Sequence, residues 1–328
     1  MTQSNNGRKG ISVPARFIPT PHTVSPQAQA FLSTSRPEMP PLPDVKDKAA
    51  WRSYVEAGNS GHVQAYERMA QPYPGKTVTH QLSVVPLYEI TPQSFSPANE
   101  RRAILFVHGG GFTMGGGQAA VFAAMPLASL AQIRTYSIDY RMPPDHPFPA
   151  GLDDTLEAYR WLLARYEPKN IVLYGISAGG NIAPACLLKA RDLELPMPAA
   201  CALHSPVSDL IESGDTYETN DTIDIVLKHR AGDLFAMYAD GHDLKDPLLS
   251  PAFADYSKGF PPTILTSGTR DLLLSSTVLL HRALRRGGIR AELHVWEAMT
   301  HAPFFGAPEE KELLREQIEF MLRHMATD

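Results

Sequence analysis

The chain has 328 residues, 43% of them hydrophobic, and a net charge of -5. That length suits one large α/β domain with an added lobe, or two ordinary domains, and the acidic balance argues against a nucleic-acid face. No apolar run reaches the roughly 18 residues of a membrane span, and Met1 to Gly10 has no apolar signal-peptide core, so a cytoplasmic protein is expected.

Residues 1–43 are polar and proline-rich, with a short helix expected over 28–32. Residues 44–69 read as helix, because Trp51, Tyr54, Val55, Val63 and Tyr66 recur at loosely helical spacing, with a break expected at Gly58-Asn59-Ser60-Gly61. From His80 the pattern turns to strands. Residues 81–90 form one extended segment interrupted at Pro86. Ala103-Ile104-Leu105-Phe106-Val107 is a continuous apolar run, the kind buried on both faces of a parallel sheet. It leads into His108-Gly109-Gly110-Gly111-Phe112. A helix is predicted over 119–130, a strand over 133–138 and a helix over 150–164. A strand ends at Tyr174, and a helix follows over 181–190 with Cys186 in it.

A strand is predicted over 199–203, holding Cys201; the two cysteines form no metal or redox spacing and read as buried small residues. Residues 209–255 lack strand character, carry one predicted helix over 223–238, and read as an insertion. A strand over 263–266, a helix over 272–286 stopped by Gly287-Gly288, and a strand over 291–296 follow. Pro308 opens the last helix, with Glu309, Glu310 and Glu312 in its first turn. Strands alternating with helices from about residue 80 onward predict a mostly parallel sheet covered on both faces, with ligands at the carboxyl ends of its strands.

Those ends carry the reactive residue types. Gly175-Ile176-Ser177-Ala178-Gly179 lies where a strand turns sharply into a helix, and its glycines remove the β-carbons that would block such a turn. A serine hydroxyl there needs a base to take its proton and donors to receive an oxyanion. Asp271 and His301 follow the next two strands in nucleophile, acid, base order, with one helix and one strand between them. Each has a plainer reading: Asp271 as cap of the helix at Leu272, His301 as a loop histidine. The glycine run at 109–111 lets backbone N–H groups approach a ligand, and with the N–H of Ala178 it suits an oxyanion hole. A phosphate loop is excluded because no Gly-Lys-Ser/Thr follows.

Three long stretches add a resemblance: His108 to Phe112, Asp139-Tyr140-Arg141-Met142-Pro143-Pro144-Asp145-His146-Pro147-Phe148-Pro149-Ala150, and Gly175 to Asn181. With Asp246-Pro247-Leu248-Leu249-Ser250-Pro251, Asp271-Leu272 and His301, they make the chain resemble the hormone-sensitive-lipase group of α/β-hydrolases, in its bacterial carboxylesterase branch. The resemblance covers about residues 80–325. It implies an α/β-hydrolase fold with a mostly parallel eight-stranded sheet flanked by helices and a helical cap. It also implies Ser177, Asp271 and His301 as triad and Gly110, Gly111 and Ala178 as oxyanion donors, with Gly109 shaping the loop. The activity implied is hydrolysis of short- to medium-chain carboxylic esters, a small-molecule substrate, with no cofactor and no metal, often by a homodimer. Some relatives are lactone hydrolases. Two departures stand out. The family usually has Asp or Thr at Ile176, and Pro184 should kink or loosen the helix after the serine, since proline cannot donate to the Gly180 carbonyl.

Segments 1–75 and 209–255 are expected to form a cap over a catalytic domain of 76–208 and 256–328, with Phe31, Tyr217, Ile223, Val226 and Leu227 as candidates for choosing the acyl or alcohol group. A serine esterase leads; a lactone hydrolase with the same triad is the enzymatic alternative. A non-catalytic binding protein is the third reading, since plant gibberellin receptors resemble this family but lack the triad histidine.

Overall fold

The computed structural model describes residues 10–11, 13–34, 41–227 and 231–326. In chain order its main elements are α1 (Pro26–Leu32), α2 (Lys48–Ala70), β1 (Gly75–Gln81), β2 (Pro86–Pro92), β3 (Ala103–Val107), α3 (Gln118–Ala131), β4 (Arg134–Ile138), α4 (Ala150–Leu163), β5 (Ile171–Ile176), α5 (Gly179–Asp192), β6 (Ala200–His204), α6 (Thr216–Thr219), α7 (Gly232–Ala239), β7 (Thr263–Gly268), α8 (Leu274–Arg286), β8 (Ala291–Trp296) and α9 (Pro308–His324). The strands form one eight-stranded sheet in the order β1-β2-β4-β3-β5-β6-β7-β8. β1–β2 and β2–β4 pair antiparallel, and the rest pair parallel.

Successive residues of the central strands feed two different cores, as the two-residue period of a strand requires. Ala103, Leu105 and Val107 of β3 join a core filled by α4, α5 and α8. Ile104 and Phe106 join a second core filled by α3 and α9. Leu173 of β5 and Cys201 of β6 enter the first, Tyr174 and Ala202 the second. An unbroken apolar run is therefore what a strand covered on both sides needs. Cys186 and Cys201 are both buried and free.

Three local expectations change. Residues 81–90 are not one segment: β1 ends at Gln81 and β2 begins at Pro86, and Leu82 N–H donates to the Val85 carbonyl to close a hairpin. That turn carries no glycine or Asn-Gly signal. α2 runs unbroken through Gly58-Asn59-Ser60-Gly61. The reason is tertiary: a β-carbon on Gly58 would stand 2.1 Å from the Met114 sulfur, so the glycine admits the neighbouring loop. Asn59 Oδ1 accepts the Gly115 N–H at 2.7 Å. The insertion is less helical than expected, with α7 starting only at Gly232. Residues 224–227 are not helical, and there Asp224 Oδ1 takes the N–H groups of Val226 and Leu227 at 2.8 and 3.1 Å. α5 itself continues through Pro184 to Asp192 as one helix. The missing donor toward Gly180 costs one bond without ending the helix, whose buried residues, Ile182 to Leu188 among them, hold it in the core.

Candidate active site

The turn after β5 is forced by close backbone approach. A β-carbon on Gly175 would lie 2.4 Å from the Gly179 carbonyl oxygen, and one on Gly179 would lie 2.0 Å from that of Val107. Between them Ser177 sits in the left-handed region at φ 55°, a strained conformation for a residue with a side chain. The turn directs its Oγ to His301 Nε2, 2.9 Å away.

His301 and Asp271 are brought together by two loops packed backbone to backbone. Arg270 N–H donates to the Met299 carbonyl at 3.0 Å, and Ala298 N–H donates to Thr269 Oγ1 at 2.7 Å. His301 Nδ1 stands 3.4 Å from Asp271 Oδ1, long for a direct hydrogen bond. The hydroxyl of Ser205, just past β6, lies between them: His301 Nδ1–H donates to its Oγ at 2.8 Å, and Ser205 in turn donates to Asp271 Oδ2. Asp271 Oδ2 also accepts from Ser267 at 2.6 Å and Oδ1 from the Leu273 N–H at 2.9 Å, so the helix-capping contact coexists with the contact to the imidazole. With Nδ1 protonated, Nε2 presents its lone pair to the Ser177 hydroxyl.

Electrostatics follow from burial and pairing. Burial of Asp271 favours its neutral form, but the proximity and charge of His301 and the hydroxyls of Ser205 and Ser267 leave its carboxyl below the ordinary range. Burial likewise disfavours the His301 cation, yet Asp271 and, further away, Asp224 leave its pKa above the ordinary histidine value. His204, at the end of β6, is lowered to about 4 by burial and then by His301, so it stays neutral beside the pair.

Gly110 at φ 110° and Gly111 at φ 62° form the loop facing the serine turn. Among the described residues no acceptor takes the N–H of Gly110, Gly111 or Ala178. Gly109 lets this loop close on the turn, since a β-carbon there would lie 3.1 Å from Ser177 Cβ. The 139–150 stretch has a mechanical use: Tyr140 donates to the His108 carbonyl at 2.9 Å and stacks on the His108 ring at 4.2 Å. Arg141 is anchored to the buried Asp154 by its guanidinium at 2.8 Å and its backbone N–H at 2.8 Å. A cavity of about 620 Å³ between α2 and this stretch is lined by Asn59, Thr113 and Asp139 among others and includes neither Ser177 nor His301.

The other candidates scatter. Phe31 meets Phe304 and Phe305 edge-on at 5.6 and 5.9 Å, just beyond His301. Tyr217 is buried in the main core. Ile223, Val226 and Leu227 are half-buried, and Ile176 packs beside the second core. Sequence reading missed Ser205, Ser267 and Asp224. It also missed Leu234 of α7, whose methyl would lie 2.9 Å from a β-carbon on Gly111. Among the described residues no cluster of His, Cys, Asp and Glu could hold a metal ion, and no helix is long and apolar enough to cross a membrane.

Fold and site together define an α/β-hydrolase. The pattern of the alpha/beta hydrolase fold family matches residues 104–305, and the chain belongs to that family, in its hormone-sensitive-lipase-like group. Over 242 residues it is 32% identical to an acetyl-hydrolase of Streptomyces hygroscopicus, covering 72% of this chain and 80% of that one. The crystal structure of an esterase superposes with a TM-score of 0.89 at 33% identity, covering 97% of this chain and 99% of that one. An esterase of the bacterial hormone-sensitive lipase family superposes with a TM-score of 0.76 at 29% identity, covering 92% and 99%.

Gly179→Ala tests the serine turn. Alanine is the better helix former by about 1 kcal/mol, but here its methyl meets backbone that cannot move aside. We expect a net loss of at least about 2 kcal/mol in urea unfolding; a neutral or stabilised variant would contradict the close approach.

Proposed function

We propose that the protein is a serine carboxylesterase acting on short- to medium-chain esters through an acyl-enzyme. The observation that carries this reading is His301 Nε2 at 2.9 Å from Ser177 Oγ, with the opposite ring nitrogen linked to a buried carboxylate. His301 takes the Ser177 proton as Oγ attacks the ester carbonyl. The N–H groups of Gly110, Gly111 and Ala178 receive the oxyanion, aided by the N-terminus of α5. His301 then gives that proton to the departing alkoxide, leaving the acyl group on Oγ. A water deprotonated by His301 attacks the acyl carbonyl, and the returning proton restores Ser177. Asp271 stabilises the imidazolium and holds the ring, with Ser205 as the bridging hydroxyl. A homodimer belongs to the same reading, on the strength of the resemblance, and a cytoplasmic location as the expectation drawn from the sequence. The relatives named acetyl-hydrolase and esterase support an ester as the substrate class. A lactone would use the same steps, with the leaving alkoxide tethered to the acyl group. A binding protein would have no use for a base bonded to the serine.

Ser177→Ala should lower turnover of p-nitrophenyl butyrate by at least about 10³-fold with the fold intact. Wild-type protein without turnover of simple esters or lactones would overturn the assignment.

The base must be neutral to work, and its pKa is raised, so activity is lost as pH falls through a value above the ordinary 6.5. The acid limb of kcat/KM should therefore have its midpoint above that value; a midpoint below it would contradict the pairing with Asp271.

The insertion also bears on chain length. α7 stacks Tyr238 on Phe112 at 3.9 Å and sets Leu234 over Gly111, beside the proposed oxyanion donors. Leu234→Ala should raise the octanoate-to-butyrate ratio of kcat/KM by roughly 10-fold; an unchanged ratio would remove α7 from substrate selection.

A further inference from the structure

Asp224 is a fully buried carboxylate outside the proposed triad, in the insertion between β6 and β7. Its oxygens take four backbone N–H groups from three segments. Oδ1 accepts from Val226 and Leu227 at 2.8 and 3.1 Å, ordering the insertion itself. Oδ2 accepts from Leu272 at 2.9 Å, the residue after Asp271, and from His301 at 3.0 Å. One oxygen thus joins the main chain beside the proposed acid to that of the proposed base. The preceding turn strengthens the joint: Asn220 Nδ2 donates to the carbonyls of Thr269 and Asp271 at 3.1 and 2.8 Å.

We propose that Asp224 is a positioning residue, through which the insertion fixes the distance between the loops bearing Asp271 and His301 and so the aim of the imidazole at Ser177. Nothing in the chemistry requires Asp224 to exchange a proton with substrate. A neutral side chain of the same shape cannot do its work. An amide offers one acceptor oxygen and sets an NH₂ against the remaining N–H donors, so Asn must lose one pair of contacts. The titratable groups facing Asp224 are Asp271 and His301, and those facing His301 are Asp271, Asp224 and His204. Burial, then the charge of Asp271, lifts the Asp224 carboxyl to about 6, against its backbone donors and His301. At neutral pH it remains mainly ionised and adds negative charge near the imidazole.

This inference rests on the esterase reading, and the test separates the two. Asp224→Asn should lower kcat for p-nitrophenyl butyrate about 10- to 100-fold with KM changed less than about 3-fold, because the imidazole loses aim while the substrate surface stays. Its acid limb should also move to lower pH, since one negative charge near His301 is gone; a purely structural loss of active protein would leave the limb in place. If Asp224→Asn does not fold, the wild type answers by amide NMR: the His301 and Leu272 N–H resonances should titrate together with one midpoint near that of a raised carboxyl. Normal kcat with an unmoved limb in a folded variant, or amide resonances that ignore this titration, would overturn the inference while leaving the esterase reading intact. Absence of wild-type turnover would overturn both.

Discussion

One imidazole is held from two sides by carboxylates that have lost all contact with water. Asp271 holds the ring of His301 and Asp224 holds its backbone, and neither carboxylate is exposed. Buried charge of this kind is stable only when every oxygen finds donors. Asp271 meets that condition with the hydroxyls of Ser205 and Ser267, the Leu273 N–H and the imidazole; Asp224 meets it with backbone alone. The rest of the site is arranged around this constraint. The loops bearing Asp271 and His301 pack directly on each other, and the serine turn, braced by Gly175 and Gly179, brings Oγ up to the imidazole.

The sheet makes this convergence possible. β5 lies between β3 and β6, and β7 and β8 follow in order, so five adjacent strand ends open on one edge. From them come the glycine loop, Ser177, Ser205, Asp271 and His301. The glycine loop is clamped from outside that edge, by Tyr140 after β4 and by Asn59 from α2. The proposed oxyanion donors depend on being held before the charge appears, so these remote contacts bear on that proposal.

Much of this was legible in the sequence because it is local. Apolar strands, a serine between glycines and a glycine run after a strand each carry a short-range signature, and their order along the chain did the rest. What was not legible acts across long sequence distances. Ser205, Ser267 and Asp224 are ordinary residues whose partners lie elsewhere in the chain, and no spacing rule marks them. The glycine and asparagine at 58–59 look like a helix break and instead receive Met114 and Gly115, so a tertiary contact overrides local propensity. The hairpin between β1 and β2 was hidden for the opposite reason, because its turn, Leu82 to Val85, holds no Gly, Asn or Asp.

The central claim is that Ser177 Oγ, activated by His301, is the atom that attacks the substrate. A p-nitrophenyl alkylphosphonate tests it most directly, because the phosphonyl group it leaves on a nucleophile cannot be hydrolysed away as an acyl group can. Peptide mass spectrometry after inactivation should find one phosphonyl group per chain, on Ser177, with release of one equivalent of p-nitrophenol and complete loss of esterase activity. Full inactivation with Ser177 unmodified, or ester turnover that persists once Ser177 is blocked, would contradict the account.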